Sequence, residues 1–415
     1  MNVVRSRKRL PYFLVAMAAL LAALVVASPA MSQHKAQTLV IWSDHDRLAA
    51  VTKVANAWAA THGVSVQVVE KDFGSIRDSL STVDPTTAPD VIVGAHDWTG
   101  QLAASGLVLP LYPSKATLAQ FPKYTLNAFS YGTAVKKLYG APVAVENIGL
   151  VVNTKLAKVP TSWANLEQQA LAFKKKKSGN LAIAVQQGAN GDAYHMYPFF
   201  SGLCGYIFGT NRAGNLDPSD IGVANPKFLK NAPLIDKWNK EGLINSAVDS
   251  GIAQNAFLKG QSAFWITGPW NSDTLKASGL SFKVVQLPRI SCQSVPFLGV
   301  QGFLVTKFAT QHGVESQARD LVGSYMMTPA AQLALAAANS RFPANTAAGK
   351  QVTDPVLAQF GKASVGGVPM PNIPQMNAVW ADLGTAWVKS TKGAGATPAR
   401  ASFITAARNI ADKIG

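Results

Sequence analysis

Apolar and polar positions along this chain switch repeatedly between a period of two and a period near 3.6. Thr38-Leu39-Val40-Ile41-Trp42 is a short β-branched and aromatic run of the kind a buried strand needs. Leu48 to Ala60 places apolar residues at helical spacing, and Val64 to Val69 alternates as a second strand. Asp90-Val91-Ile92-Val93 predicts a third, after the turn-forming Asp84-Pro85 and Ala88-Pro89. This succession predicts an α/β fold with parallel strands joined by right-handed helical crossovers. Ligands of such sheets gather at the carboxyl ends of strands, so the loops after Trp42 and Val93 are the first places to look.

Ala141-Pro142-Val143-Ala144-Val145 with Glu146, then Gly149 to Asn153, reads as a crossing between two domains. A second α/β region runs to about Phe297, with helices expected near Trp163–Lys177 and Pro226–Glu241. Phe297 to Val305 predicts a return strand, followed by a helix from Val314 to Met327 and an Ala-rich segment, Pro329–Asn339. Met370-Pro371-Asn372-Ile373-Pro374-Gln375-Met376 holds two prolines, which exclude a helix interior and predict an extended loop. That loop should present Trp380 on the first turn of whatever follows it. A last helix is expected from Ala401 to Ile414.

The N-terminus predicts export. Arg5, Arg7, Lys8 and Arg9 precede the apolar run Tyr12 to Ala27, and small residues follow at Ser28 to Ser32. A signal peptide over residues 1–32 with cleavage near its end would leave 383 residues, too many for one core and enough for two domains. No cysteine lies near the cleavage site, which argues against a lipid anchor. Four of the sixteen net positive charges fall in the signal segment, leaving +12. Export and the lack of an arginine-rich arm argue against nucleic acid as a partner. The excess fits work in an acidic medium, where few carboxylates means few groups to neutralise. Lys174 to Lys177 reads as a solvated helix C-terminus. Cys204 and Cys292, 88 residues apart, leave one long disulfide open as a pairing.

Catalytic motifs are lacking: no G-x-S-x-G, H-E-x-x-H, P-loop or Rossmann glycine pattern occurs. Asp44-His45-Asp46 and His96-Asp97 are the densest titratable clusters and serve hydrogen bonding more readily than a metal. Asp46, Asp97, Glu146 and Asp192 fall at expected strand or loop ends, where carboxylates accept bidentate hydrogen bonds from vicinal hydroxyls. Trp270, after the turn Thr267-Gly268-Pro269, and Trp380 and Trp98 supply flat apolar faces. Acids beside aromatic platforms suit a sugar, which has C–H-rich faces and a hydroxyl rim.

From Thr38 to the C-terminus the chain resembles the maltose/maltodextrin-binding protein family, the sugar-specific branch of the type II periplasmic binding proteins. The resemblance rests on Leu39-Val40-Ile41-Trp42, Pro89-Asp90-Val91-Ile92, Ala95-His96-Asp97, Pro142 to Glu146, Gly268-Pro269-Trp270 and, most specifically, Met370 to Met376. It implies a two-lobed fold, each lobe a mostly parallel sheet flanked by helices, with a ligand cleft between them. The lobes would comprise 38–144 with 301–350, and 145–300 with 351–415. The family's contacts fall on Asp46, Arg47, Asp97, Glu146, Asp192, Tyr194, Trp270, Met370 and Trp380. Arg47 stands where the family commonly has Lys, and Asp192 where it often has Glu. Gly94 replaces an aromatic platform that Trp98 would restore, and Gly384 replaces a second basic contact.

The resemblance implies a monomeric, non-catalytic periplasmic receptor for maltose or maltodextrin, without cofactor or metal, that serves the membrane permease of an ABC sugar importer. Two rivals stay open. One is a same-fold receptor for trehalose, another disaccharide or a polyamine. The other is a glycoside hydrolase using Glu146 with Asp97 or Asp46.

Overall fold

Strand β1, Thr38–Ser43, pairs in parallel with β2, Ser65–Glu70, in the register Ile41 to Val68, and with β3, Val91–Ala95, through Ile41 and Val91. The computed structural model describes residues 37–132 and 135–415, so the signal segment expected over residues 1–32 lies outside the described residues. Between β1 and β2 runs helix α1, His45–His62, which ends at Gly63 with φ 64°, the left-handed turn that glycine accepts without a Cβ clash. Its Val51, Val54, Ala55 and Trp58 are buried. Their helical spacing is the stripe that packs it on the sheet.

Strands β4, Gly140–Glu146, and β5, Gly149–Asn153, form the expected crossing. β4 stays with the first sheet, whereas β5 joins β6, Ala184–Val185, β7, Phe264–Thr267, and β8, Phe282–Val285, in a second, four-stranded sheet of order β8-β5-β7-β6. The chain then returns as β9, Phe297–Val305, which inserts between β3 and β4. β10, Phe342–Pro343, closes the far edge, giving β10-β4-β9-β3-β1-β2.

Both sheets are mixed rather than mostly parallel. The first-sheet pairs β1–β2 and β1–β3 are parallel, and a helix bridges each. β9 enters from the other lobe and runs antiparallel to both β3 and β4. In the second sheet β7–β6 is parallel, whereas β7–β5 and β8–β5 are antiparallel. A strand arriving without a packed crossover helix is free of the geometry that enforces parallel pairing.

Two expected helices are each divided, one of them by a proline. The helix expected over Pro226–Glu241 is two helices, Pro226–Asn231 and Pro233–Glu241, because Pro233 has no N–H to continue the ladder. Lys174 is less solvated than its charge run suggested: its Nζ donates to the Glu241 carbonyl at 3.0 Å, at the end of the second helix. The expected Val314–Met327 helix is Glu315–Gly323 followed by a 3-10 turn, Tyr325–Met327. Cys204 and Cys292 are bridged, with Cα atoms 5.2 Å apart, and the bond fastens the end of helix α2, Ala193–Gly202, to the segment before β9.

Candidate ligand site

The first wall is built at the start of α1 and the end of β4. Arg47, on the first turn of α1, is 5% exposed and donates from Nε to Asp44 Oδ1 at 3.0 Å. Its guanidinium lies 4.8 Å from the centre of the Phe73 ring. Glu146 ends β4, and both its oxygens are engaged. Oε1 accepts from Gln301 Nε2 at 2.6 Å, and Oε2 from Arg341 Nε at 2.9 Å. Arg341 also approaches Asp46, its Nη2 lying 3.9 Å from the exposed Asp46 carboxylate. Burial, and then the neighbouring Arg341 cation, hold the Arg47 pKa below its ordinary value. Burial raises that of Asp44. The acids and guanidiniums thus alternate around the end of the strand, which spares each buried charge from being left uncompensated.

His96-Asp97-Trp98 forms a 3-10 turn directly after β3. His96 is fully buried: Nε2 donates to the Met370 carbonyl at 3.0 Å and Nδ1 accepts from the Val300 N–H at 3.1 Å. Burial drives its pKa down to about 4, so the ring is neutral and its tautomer is set by those two partners. Asp97 is 6% exposed, and burial pushes its carboxyl up to about 6 against the opposing pull of Arg77 and Trp380. Trp98 lies over Gly94, where a Cβ would stand 2.0 Å from the ring, and against Phe73 at 4.9 Å. The glycine at position 94 and the tryptophan at position 98 are therefore one feature: the indole occupies the space that a side chain on residue 94 would need.

The second wall is aromatic. Tyr194, on the first turn of α2, lies 6.3 Å from Trp270 and 6.2 Å from Phe297. Phe297 in turn meets Trp380 edge-on at 5.9 Å. Trp270 folds back over Gly268, where a Cβ would fall 2.2 Å from the indole. Trp380 is in the first turn of the helix Val379–Thr391, as expected; the loop expected to stay extended through Met376 instead enters a 3-10 turn at Pro374–Ala378, because proline fits the first position of a helical turn. Its indole Nε1 donates to Asp97 Oδ2 at 3.0 Å, tying this wall to the first. The phenol of Tyr194 is pushed well up, first by burial and then by Glu146 and Asp192.

Asp192 is the N-cap of α2. Its Oδ1 accepts from the His195 N–H at 2.9 Å, and its Oδ2 meets Gln186 Nε2 at 2.7 Å and His195 Nδ1 at 2.8 Å. Burial opposes the charge, but these donors outweigh it and hold the Asp192 pKa down. Met370 offers its carbonyl to His96 while its side chain is buried. The Asn372 side chain reaches the carbonyls of Asn127, Ala128 and Ser130 at 2.9, 2.9 and 3.0 Å, which pins the loop.

Asp46, Arg47 and Glu146 are thus gathered around Arg341, and Tyr194 and Trp380 meet at Phe297, with Trp270 joined through Tyr194 and Asp97 through Trp380. Asp192, Trp98 and Met370 sit behind them, engaged with the protein. Sequence reasoning missed Arg341, Gln301, His195 and Phe297. For His195 a signal existed, because an Asp three residues before a His at a helix start is a capping geometry. Arg341 lies 195 residues from its partner Glu146 and left no local trace. Gly384 has a steric cause: a Cβ there would meet the Asn190 carbonyl at 2.9 Å, and a Cβ on Gly191 would come within 2.2 Å of the Gly384 carbonyl. The loop that carries Asp192 leaves no room for a basic side chain at position 384. A concavity of about 750 Å³ lies elsewhere, lined by Trp58, Tyr112, Arg319 and Tyr325 and by none of the expected site residues.

Comparison with known proteins places these walls in a context. Residues 53–359 match the family described as bacterial extracellular solute-binding protein. A galactooligosaccharide-binding protein of Bacillus subtilis is 28% identical over 374 residues, covering 85% of this chain and 84% of the relative. A maltooligosaccharide ABC transporter solute-binding lipoprotein of Streptococcus pneumoniae is 26% identical over 364 residues, covering 82% and 81%. In structure, the chain resembles the maltotriose-binding protein of Thermus thermophilus bound with maltotriose, with a TM-score of 0.80, 27% identity, and coverage of 91% of this chain and 100% of that one.

Proposed function

The chain belongs to the bacterial extracellular solute-binding proteins, which capture solutes and do not convert them, and from that premise we propose that it binds maltose or a maltodextrin between its two lobes and delivers it to an ABC-type membrane importer. The observation that carries the reading is the meeting of Trp380 with Asp97: an aromatic wall closes on a carboxylate wall at 3.0 Å, with Tyr194 and Trp270 beside it. A flat ring with a hydroxyl rim suits both surfaces at once. Asp46, Arg47 and Asp97 present polar partners from the lobe 38–144 with 301–350, and Glu146 stands at the crossing between the lobes. Tyr194, Trp270 and Trp380 act from the lobe 145–300 with 351–415, and Asp192, Trp98 and Met370 support the walls. Sugar entry displaces the Trp380 N–H from Asp97, and contacts to both lobes then favour closure. The protein works outside the cytoplasm, in the periplasm once its signal peptide is removed, as a monomer.

A second reading has its own support. The Bacillus relative binds galactooligosaccharides, and the walls at Gly94, Trp98 and Gly384 differ from the maltodextrin pattern. A tryptophan-fluorescence titration with maltose, maltotriose, a galactooligosaccharide, trehalose and spermidine decides between them. Saturable one-to-one binding of maltotriose without shorter products supports the proposal. A response confined to the galactooligosaccharide or to spermidine overturns it.

A further inference from the structure

We propose that the first lobe contains a niche for a single hydroxyl-type oxygen between Arg47 and Gln301, and that Glu146 and Arg341 are positioning residues that shape it. The inference deepens the receptor reading by naming the group of the ligand that this wall receives. It begins from two atoms. Arg47 Nη1 and Gln301 Oε1 are both buried and have no hydrogen-bond partner. Leaving a buried donor and acceptor unmatched costs the full desolvation of each, so each calls for a partner, and both residues line one small space.

Their side chains are not free to rotate toward other partners. The Gln301 amide is oriented because its Nε2 must face Glu146 Oε1, at 2.6 Å, which fixes Oε1 as an acceptor on the opposite side. Arg47 is held through Nε to Asp44 at 3.0 Å. Arg341 secures the other Glu146 oxygen at 2.9 Å. The space these residues line has a volume of about 10 Å³; Arg341 and Asn339 also line it, and the rest of its walls, among them Val51, Val93 and Phe303, offer no polar atom from their side chains. That is about the room one water-sized oxygen occupies.

The occupant is defined by what flanks it. Arg47 Nη1 can only donate and Gln301 Oε1 can only accept. An ammonium ion could not accept from the arginine, and a carbonyl or carboxylate could not donate to the amide. A hydroxyl or a water does both. The two sources share this chemistry, and the niche distinguishes neither by itself. A sugar hydroxyl reaches it as a projection from the ring, since the volume excludes the ring.

Crystal structures with and without maltotriose, at a resolution that shows waters, test the assignment. The expected result is an oxygen within about 3.2 Å of both atoms. Bonded to a sugar ring, it is a ligand hydroxyl, and Gln301→Leu should then weaken maltotriose binding roughly tenfold. One monodeoxy maltotriose should lose little on the same substitution. As an isolated peak in both crystals it is a structural water, and Gln301→Leu should leave the dissociation constant unchanged while lowering the thermal midpoint of the saccharide-free protein. Arg341→Lys, which retains a cation for Glu146, should preserve the oxygen where Arg341→Met loses it. An empty space between Arg47 and Gln301 in both wild-type crystals overturns the proposal, whether or not the variants fold. A wild type that binds no saccharide yet holds the isolated oxygen sinks the receptor's sugar assignment and leaves the niche standing.

Discussion

Trp380 donates its indole N–H to Asp97 at 3.0 Å, joining residues 283 positions apart in sequence and on opposite walls of the site. The carboxyl that accepts this bond has a pKa raised to about 6, chiefly because it is buried. A group whose pKa is raised where the two walls meet stabilises that contact fully below its ordinary value near 3.8, and the contribution is lost as pH rises through 6. Saccharide-free protein should therefore be more compact at about pH 5 than at about pH 7.5. Small-angle scattering at the two pH values checks this, and Asp97→Asn should remove the difference. Equal radii for the wild type would show that Asp97 titration does not govern closure.

Gly268 gives a way to move a platform without touching its chemistry. Residue 268 has φ −117°, which any residue adopts, yet a Cβ there would stand 2.2 Å from the Trp270 ring. Gly268→Ala should displace the indole at little backbone cost. Trp270→Ala removes the platform altogether and should weaken saccharide binding by about 2 kcal/mol, roughly thirtyfold. Gly268→Ala should fall between wild type and Trp270→Ala in a fluorescence titration. A loss below about twofold for Trp270→Ala would place the indole outside the site.

Much of this architecture could be read from periodicity, and the reasons are local. β1 and β3 announce themselves as short apolar runs that are almost wholly buried, α1 by its 3.6-residue spacing, and Trp380 because two prolines keep its loop out of an α-helix interior. The mixed sheets could not be read this way, since the direction of β9 depends on where the chain re-enters. Nor could the engagement of Glu146, whose partners Gln301 and Arg341 lie 155 and 195 residues away. Asp192 stood out as a carboxylate. Its capping bond to the His195 N–H follows from the helix that begins one residue later. What the pattern hid were pairings across the chain, such as Trp380 with Asp97.

The Cys204–Cys292 bridge closes a long loop that starts just after α2, and it fastens the end of that helix, which positions Tyr194. Chain-entropy arguments give such a bridge about 4–5 kcal/mol, of which 2–5 kcal/mol is typically measured on removal. Reduction, or Cys204→Ser with Cys292→Ser, should lower the thermal midpoint by an amount on the order of 5–10 °C. Because neither cysteine is among the expected ligand contacts, the dissociation constant below the transition should change by less than about threefold. A midpoint unaffected by reduction would assign the stability to other contacts.

His312 provides the last test, away from the site. Its Nδ1 meets the buried Asp90 carboxylate at 2.7 Å, and its Nε2 meets the Pro85 carbonyl at 2.7 Å. Both partners accept, so the ring suits them best when both nitrogens carry protons. Burial opposes the cation, but the bonds to Asp90 and Pro85 outweigh it and raise the His312 pKa above 6.5. Asp90 also fixes the β1 edge, accepting from the Val40 N–H at 2.7 Å. With the folded pKa raised, the stabilisation from His312 is complete below about 6.5 and disappears as pH climbs through the folded value. The wild type should therefore lose thermal stability between about pH 6 and about pH 8.5, and His312→Gln should lose less over the same interval. Thermal midpoints of both proteins at the two pH values measure the difference. Parallel slopes would remove His312 as the cause. A steeper wild-type slope, together with closure favoured by protonated Asp97, would place two independent titrations on the acidic side, where a chain of high net positive charge and few carboxylates is expected to work.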